Sequence, residues 1–293
     1  MIKTLLKNVY YQVVGKNLIY LPKPLAHKII YYMSFRKNLD LNNPVDINQK
    51  IHYLVVYRFG EFEARMLNKH MVKEYINSLG IKDLHVARLY ALYDDVNKID
   101  LSSLPNQFVM KTTHGCGDYV ICLDKNTFDL KSAKQKLDKA LKKNLSRLFC
   151  EYFSINVPKA IVCEEYINDG TNITPIDYKL WCFHGKVKSI MVCTERYINT
   201  KYDFFDTEWN YLDWSLDKLR SKNTIPKPEN LKRLIEVAEE LAKPFPFVRV
   251  DLYCVKGSIY FGEYTFTPFA CNIPVKKPIL RVMGDILDLN KYS

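Results

Sequence analysis

Two short stretches near the C-terminus carry the side chains best suited to chemistry: Phe247-Val-Arg-Val-Asp-Leu-Tyr253 and Ile259-Tyr-Phe-Gly-Glu-Tyr-Thr265. Each alternates like a half-buried strand, and Val255-Lys-Gly-Ser258 between them holds the glycine of a hairpin connection. With an odd-numbered connection such as Lys256 to Ser258, Asp251 falls opposite Glu263 and Arg249 opposite Thr265, all on one face. Two carboxylates and an arginine there suit a divalent cation and a polyphosphate, since Mg²⁺ takes oxygen ligands and shares them with phosphates. A surface hairpin with scattered charges accounts for the same residues equally well.

Three further segments bear on the same chemistry. Lys111-Thr-Thr-His-Gly-Cys-Gly-Asp118 reads as a strand end followed by a glycine loop, whose backbone N–H groups can wrap phosphate oxygens while Lys111 supplies a point charge. It is not a Walker A loop, because no Gly-Lys-Ser/Thr opens a helix; a plain hairpin is the simpler alternative. Ile161-Val-Cys-Glu-Glu-Tyr-Ile167 is an apolar strand ending in acids, a form that can serve as a backbone hinge for an adenine edge or simply as a solvated strand end. In Asp177-Tyr-Lys179, alternation places the acid and the lysine on one face, suited to ribose and phosphate or to a surface ion pair. His114 and His184 have no partnered Ser or Cys nucleophile, so hydrogen-bonding loop roles fit them better than general-base roles.

The elements that must position these residues form a mixed order. Residues 1 to about 45 look helical, with breaks at Pro22, Pro24 and Pro44. Helices are predicted over Asn48 to Tyr57, Phe62 to Leu79 (stopped by Gly80), Leu130 to Leu148 and Asn230 to Leu241. Strands are predicted over Phe108 to Lys111, Tyr119 to Leu123, Ala160 to Ile167, Asp177 to Phe183 and Val187 to Cys193, with Leu84 to Leu92 ambiguous. Antiparallel hairpins separated by helices argue for an α+β fold rather than a parallel βαβ series.

The chain has 293 residues, 48% hydrophobic and 26% charged, enough for one large or two modest domains. Its net charge of +11 favours an anionic partner, yet no run reads as an RNA- or DNA-binding motif, so no nucleic acid is expected. The eight cysteines form no CxxC pair and no zinc spacing, and four lie in apolar strand-like runs, which fits a reducing cytoplasm. No stretch reaches the ~20 apolar residues of a membrane span. The apolar, basic start Met1-Ile-Lys-Thr-Leu-Leu-Lys-Asn-Val-Tyr-Tyr11 lacks a signal-peptide cleavage site. A helix there can dock on the core or lie on a membrane surface, so a peripheral contact through residues 1–35, at the inner face of the membrane, stays open.

The order of the parts, Lys with a Gly loop, acidic hinge, Asp-x-Lys, Arg-x-Asp and Glu-x-Thr, resembles the ATP-grasp superfamily. A closer resemblance is to the TupA-like ATP-grasp family of bacterial surface-polysaccharide biosynthesis, named for teichuronopeptide synthesis. It rests on Asn43-Pro44 with Asn48-Gln-Lys50, Leu104-Pro-Asn-Gln-Phe-Val-Met-Lys111, Thr113-His-Gly115, Glu164-Glu-Tyr166, Asp177-Tyr-Lys179 with Phe183-x-Gly185, and Phe205-Asp206 with Trp209. Its most specific part is Phe245-Pro-Phe-Val-Arg-Val-Asp-Leu-Tyr253 with Gly262-Glu-Tyr-Thr-Phe-Thr-Pro268.

The resemblance implies an α+β ATP-grasp fold in which two lobes clamp ATP: residues 1–45 a helical segment, 46–105 the first part of the ATP-grasp unit, 106–167 a central lobe and 168–293 a C-terminal lobe with the metal site. It implies that Lys73, Lys111 and the loop Thr113, His114, Gly115, Cys116 and Gly117 meet the phosphates. Glu164, Glu165, Tyr166 and Ile167 would form the adenine hinge, with Asp177 near ribose and Lys179 near phosphate or adenine. Mg²⁺ would sit on Asp251, Glu263 and Thr265, and Arg249, Lys111 and Lys179 would serve the transfer step. The implied reaction joins a carboxylate, a uronic acid of a surface glycan, to an amine such as an amino acid. A phosphotransferase, a glycosyltransferase of the same pathway and a non-catalytic nucleotide-binding partner are the alternatives.

Overall fold

The computed structural model describes residues 16–168, 170, 174–194, 200–221 and 223–292. The expectations for residues 1–15 fall outside this set. The chain divides into two compact units. The first comprises residues 1–44, 52–73 and 88–166, the second 45–51, 74–87 and 167–293.

The first unit is built on a four-stranded antiparallel sheet in the order β2 (Leu89–Tyr93), β5 (Ile161–Glu164), β3 (Phe108–Thr112), β4 (Tyr119–Cys122). Phe108, Met110, Cys122, Ile161 and Cys163 face a core that Leu137 also joins. Leu137 lies on α5 (Leu130–Lys142), which buries Ala133, Leu137 and Ala140 at helical spacing and leaves its lysines outward. The Asp129 side chain accepts from Ser132 N–H and caps that helix. The helix expected over Leu130–Leu148 stops at Lys142, and a new turn, α6 (Leu145–Leu148), begins under the Asn144 cap.

The N-terminal part of the unit contains α1 (Lys23–Phe35), opened by Pro24 in its first turn and closed by Arg36 in the left-handed region. Next in the chain come α2 (Ile47–Tyr57), α3 (Glu61–Leu67) and α4 (Met71–Ser78); α3 lies in the first unit, whereas the unit boundaries cut α2 after Ile51 and α4 after Lys73. The single helix expected over Phe62–Leu79 is broken at Asn68. Its Oδ1 accepts from the N–H groups of His70 and Met71 and restarts the helix, an N-cap that the apolar periodicity hides.

The second unit contains a seven-stranded sheet ordered β1 (Leu84–Val86), β11 (Ser258–Thr265), β10 (Phe247–Val255), β6 (Asp177–Phe183), β7 (Lys186–Thr194), β8 (Lys201–Phe205), β9 (Tyr211–Leu212). Only β1 pairs in parallel, with β11. The ambiguous stretch Leu84–Leu92 is therefore two strands, β1 and β2, that join different sheets. One face of β6 and β10, carrying Leu180, Cys182, Val248, Val250 and Leu252, is wholly apolar. The amphipathic α7 (Leu231–Ala242) supplies Leu234, Val237, Ala238 and Leu241 to the core, and Tyr264 donates from its hydroxyl to the Leu241 carbonyl. The chain ends with α8 (Lys277–Ile286). The strands β8 and β9 and the helix α8 had no expectation from sequence.

Candidate active site

The first unit gathers cations on one carboxylate. Val109 pairs with Glu164 across β3 and β5, which sets Lys111 diagonally beside Glu164 on the same face. Lys111 forms an ion pair with Glu164 Oε1, and Lys73, at the start of α4, reaches Glu164 Oε2 at 2.8 Å. Glu164 is buried. Burial opposes its charge, but Lys111 and Lys73 outweigh that and hold the carboxyl below its usual range. Burial also lowers Lys73, against the pull of Glu164. The cluster carries two lysines on one buried glutamate, and Glu165, next in the chain, also acts on Lys73.

The glycine loop follows directly. Gly115 is required there, because a Cβ would lie 2.1 Å from Thr112 Oγ1, and Gly117 takes a φ of +75°. Lys69 donates from Nζ to the Gly115 carbonyl at 2.6 Å and from its N–H to the Thr113 carbonyl at 3.0 Å, so the loop is pinned at its base. The Thr113 hydroxyl is engaged with the Pro158 carbonyl and the Ala160 N–H, and His114 Nε2 with the Lys143 carbonyl. Cys116 is exposed at the tip. Glu165, next to Glu164, accepts at its carboxylate from Arg88 N–H and donates its own N–H to the Arg88 carbonyl, which fixes the segment that continues through Tyr166 and Ile167.

The second unit gathers acids around two cations. Arg249 pairs with Thr265 and Asp251 with Glu263 across β10 and β11, as expected, but by a different route. The connection is the two-residue turn Lys256-Gly257, both residues at positive φ, which alone would put Asp251 opposite Gly262. A β-bulge after Asp251 adds the missing residue. Gly262 sits in it, where a Cβ would come 2.9 Å from the Asp251 carbonyl and 3.0 Å from the Tyr253 ring.

The neighbouring strand completes the face: Lys179 pairs with Asp251 and Asp177 with Tyr253. Asp251 is 1% exposed and accepts from Arg249 Nε and Nη2, each at 2.7 Å, and from Lys179 Nζ. Lys179 also donates to Asp177 at 2.6 Å, and Arg249 to the Thr265 hydroxyl at 2.9 Å. Burial disfavours all these charges. The cations nevertheless hold Asp251 below the usual carboxylate range, and the acids raise Lys179 and Arg249. Glu263 stands apart, 36% exposed and 3.8 Å from Arg249. Three carboxylates against two cations leave a surplus negative charge.

A divalent cation fits this set. The donors are hard carboxylate oxygens on adjacent strands, Glu263 is accessible, and Asp251 Oδ1 has one bound donor and so an unfilled lone pair. Among the described residues no group of three or more His, Cys, Asp or Glu could hold a metal by itself, so a cation here would need oxygens from a substrate. Beyond β11 the backbone runs through Phe269, Ala270 and Cys271 at φ of 55°, 52° and 60°, a left-handed turn unusual for three non-glycine residues.

The TupA-like ATP-grasp sequence model matches residues 49–287. The chain belongs to the TupA-like ATP-grasp family. Its fold is similar to that of L-amino acid ligase from Bacillus licheniformis, with a TM-score of 0.51 at 13% identity, over 92% of this chain and 64% of that one. D-alanine-D-alanine ligase from Helicobacter pylori gives 0.45 at 16% identity over 82% and 69% of the two chains. The Bacillus anthracis D-alanine–D-alanine ligase complexed with ATP gives 0.41 at 15% over 78% and 64%. The chain thus spans about two thirds of the length of these structures. No curated protein matches it.

All the residues singled out in the sequence fall in two sets: Lys73, Lys111, the 113–117 loop and Glu164–Tyr166 in the first unit, Asp177, Lys179, Arg249, Asp251, Glu263 and Thr265 in the second. Ile167 is the first residue of the second unit's last segment. Sequence reasoning missed Gly262 as a bulge, although the even turn length Lys256-Gly257 was the available signal. It also missed Glu164 as the hub of two lysines, a contact that only the β3–β5 register reveals.

Proposed function

We propose that the chain is an ATP-dependent carboxylate–amine ligase that forms an amide through an acyl phosphate. The observation that carries this reading is the contrasting make-up of the two clusters: two lysines paired to Glu164 in one, three carboxylates around Arg249 and Lys179 in the other.

Lys111, Lys73 and the Thr113–Gly117 loop would take the phosphates of ATP, where charge-assisted contacts are strongest. The Glu164 side chain is committed to its lysines, so adenine recognition falls to backbone groups following Glu165, with Asp177 toward ribose. Asp251 and Glu263 would hold Mg²⁺ beside Thr265. The bound cation would supply neutralisation of the phosphate oxygens.

In the first step a substrate carboxylate oxygen bonds to the γ-phosphorus. The bond from that phosphorus to the β,γ-bridging oxygen breaks, and ADP leaves with the electron pair. Arg249, anchored by Asp251, and Lys179, anchored by Asp177 and Asp251, offset the charge on the transferring group. In the second step the amine nitrogen bonds to the acyl carbon and loses a proton, and phosphate departs with the acyl C–O bonding pair. Positioning and electrostatics suffice for this chemistry, and no nucleophilic side chain is required.

For the co-substrates we propose a uronic acid of a capsular or other surface polysaccharide and an amino acid or simple amine. The family supports this, and so does the net charge of +11, which suits an acidic saccharide. We place the reaction on the cytoplasmic side. The test is a phosphate-release assay with Mg-ATP against panels of uronic acids and amines. Amide, ADP and phosphate in equal amounts support the ligase. A phosphorylated sugar without phosphate release would make it a kinase.

A further inference from the structure

The positive charge of this chain is not spread evenly. The first unit holds 23 Lys and Arg against 13 Asp and Glu, whereas the second holds 20 against 19. Within the first unit the bias is sharpest at its beginning. Residues 1–39 contain seven Lys and Arg and no Asp or Glu, and Asp40 is the first acid of the chain. ATP-binding lysines do not explain this excess, since Lys69, Lys73 and Lys111 all lie outside it.

The described part of that region presents an apolar stripe to solvent. On α1, Ala26, His27, Ile30 and Tyr31 are buried, while Leu25 is 46% and Tyr32 50% exposed. At 100° per residue, Leu25, Lys28, Tyr32 and Arg36 share the outward face, so the stripe is flanked by cations, and the Arg36 guanidinium lies over the Tyr32 ring. Just before the helix, Tyr20 is 73% exposed and is held by Arg147, which stacks on its ring at 5.0 Å and donates to its hydroxyl at 2.5 Å. Exposed Leu25 and Tyr32, on one helical face among cations, form an apolar patch of the kind that marks an interaction surface.

We propose that this face, Leu25, Lys28, Tyr32 and Arg36, docks the chain onto an anionic membrane surface. Three features select a lipid surface over other anions. Tyrosine and leucine projecting from one helix face suit the headgroup–acyl boundary, where amphipathic rings concentrate. Flanking Lys and Arg, in a stretch whose residues 1–39 contain no acid, match negatively charged headgroups. The preceding sequence repeats the composition, with Ile2, Leu5, Leu6, Val9 and Val13 at helical spacing among Lys3 and Lys7. One apolar helix face with adjacent basic residues also supplies the two signals that stable, reversible binding requires. This role is independent of the ligase reading.

The test uses the full chain in vesicle sedimentation, comparing phosphatidylcholine alone with phosphatidylcholine containing phosphatidylserine. The wild type should sediment with the anionic vesicles and be released by high salt. Leu25→Glu with Tyr32→Glu should lower that binding by about tenfold or more, and Lys28→Glu with Arg36→Glu by a similar factor. Both pairs are exposed, so an unchanged unfolding midpoint serves as the folding control. Equal sedimentation with neutral and anionic vesicles would overturn the proposal. So would full retention by the Leu25/Tyr32 variant, or equal binding of a soluble acidic polysaccharide that competes with the vesicles, since either makes the association purely electrostatic.

Discussion

The two charged clusters are built alike but polarised oppositely. At Glu164 one buried carboxylate is shared by two lysines on flanking elements; at Asp251 one buried carboxylate is shared by an arginine and a lysine, with further acids on either side. In each, the central acid is closed off, and the most exposed of the outer groups are Lys111 and Glu263. In the first the central acid is enclosed by two lysines; in the second a further, partly exposed acid, Glu263, lies 3.8 Å from Arg249. The contrast shows that one device, a buried carboxylate shared by two cations, can be set in lysine-rich or in acid-rich surroundings.

The comparison breaks most strongly at the organisers. Asp251→Ala strips Arg249 and Lys179 of their shared partner and should cost about 3–5 kcal/mol of stability in urea unfolding. Loss of turnover in that variant would then not isolate a metal role. A cost below about 1 kcal/mol would mean that Asp251 does not organise the face.

Acid should expose a different buried group in the first unit. His27 Nε2 lies 3.1 Å from the Cys150 carbonyl and its Nδ1 2.7 Å from His52 Nδ1, an arrangement that suits neutral rings. Burial lowers the His27 pKa to about 4 and takes His52 well below its normal value. A histidine with a depressed folded-state pKa contributes stability that is complete above about 6.5 and is lost as pH falls toward 4, because the unfolded chain takes up the proton first. For His27 alone the loss between those limits is about 3 kcal/mol. The carboxylates held low, Glu164 and Asp251, add their loss only below the ordinary carboxylate range. Stability that is flat from pH 7 to 5 would contradict this.

Lys111→Ala should weaken ATP binding by about 1.5–3 kcal/mol while leaving Glu164 with Lys73. Unchanged affinity would make Lys111 structural. Gly262→Ala should cost about 1–3 kcal/mol, since the new Cβ meets the Asp251 carbonyl inside the bulge. Proton-exchange protection in β10 and β11 would report the disturbance. The smallest stability effect belongs to the proposed metal ligand: Glu263→Gln should change stability by less than about 0.5 kcal/mol, as a partly exposed group does.

Where alternation and turn residues act locally, the sequence could be read directly. Asp177–Phe183 matches its strand, and the Arg249/Thr265 and Asp251/Glu263 pairs were foreseen although the route to them was not. The break at Asn68 was hidden because a side-chain cap interrupts an apolar period without altering it. The separation of β1 from β2, and the joining of Lys73 to Glu164 across 91 positions of sequence, depend on tertiary pairing that no local pattern encodes. Likewise, the closing of Asp251 by Lys179 needed the β6–β10 register.

The division of labour between the clusters can be measured by thermal unfolding with ATP, with and without Mg²⁺, in wild type, Glu263→Gln and Lys111→Ala, since a ligand of the native state raises its apparent stability. The account predicts a shift with ATP that grows on adding Mg²⁺, loss of only the Mg²⁺ increment in Glu263→Gln, and a diminished shift in both conditions in Lys111→Ala. A full Mg²⁺ increment in Glu263→Gln would contradict it.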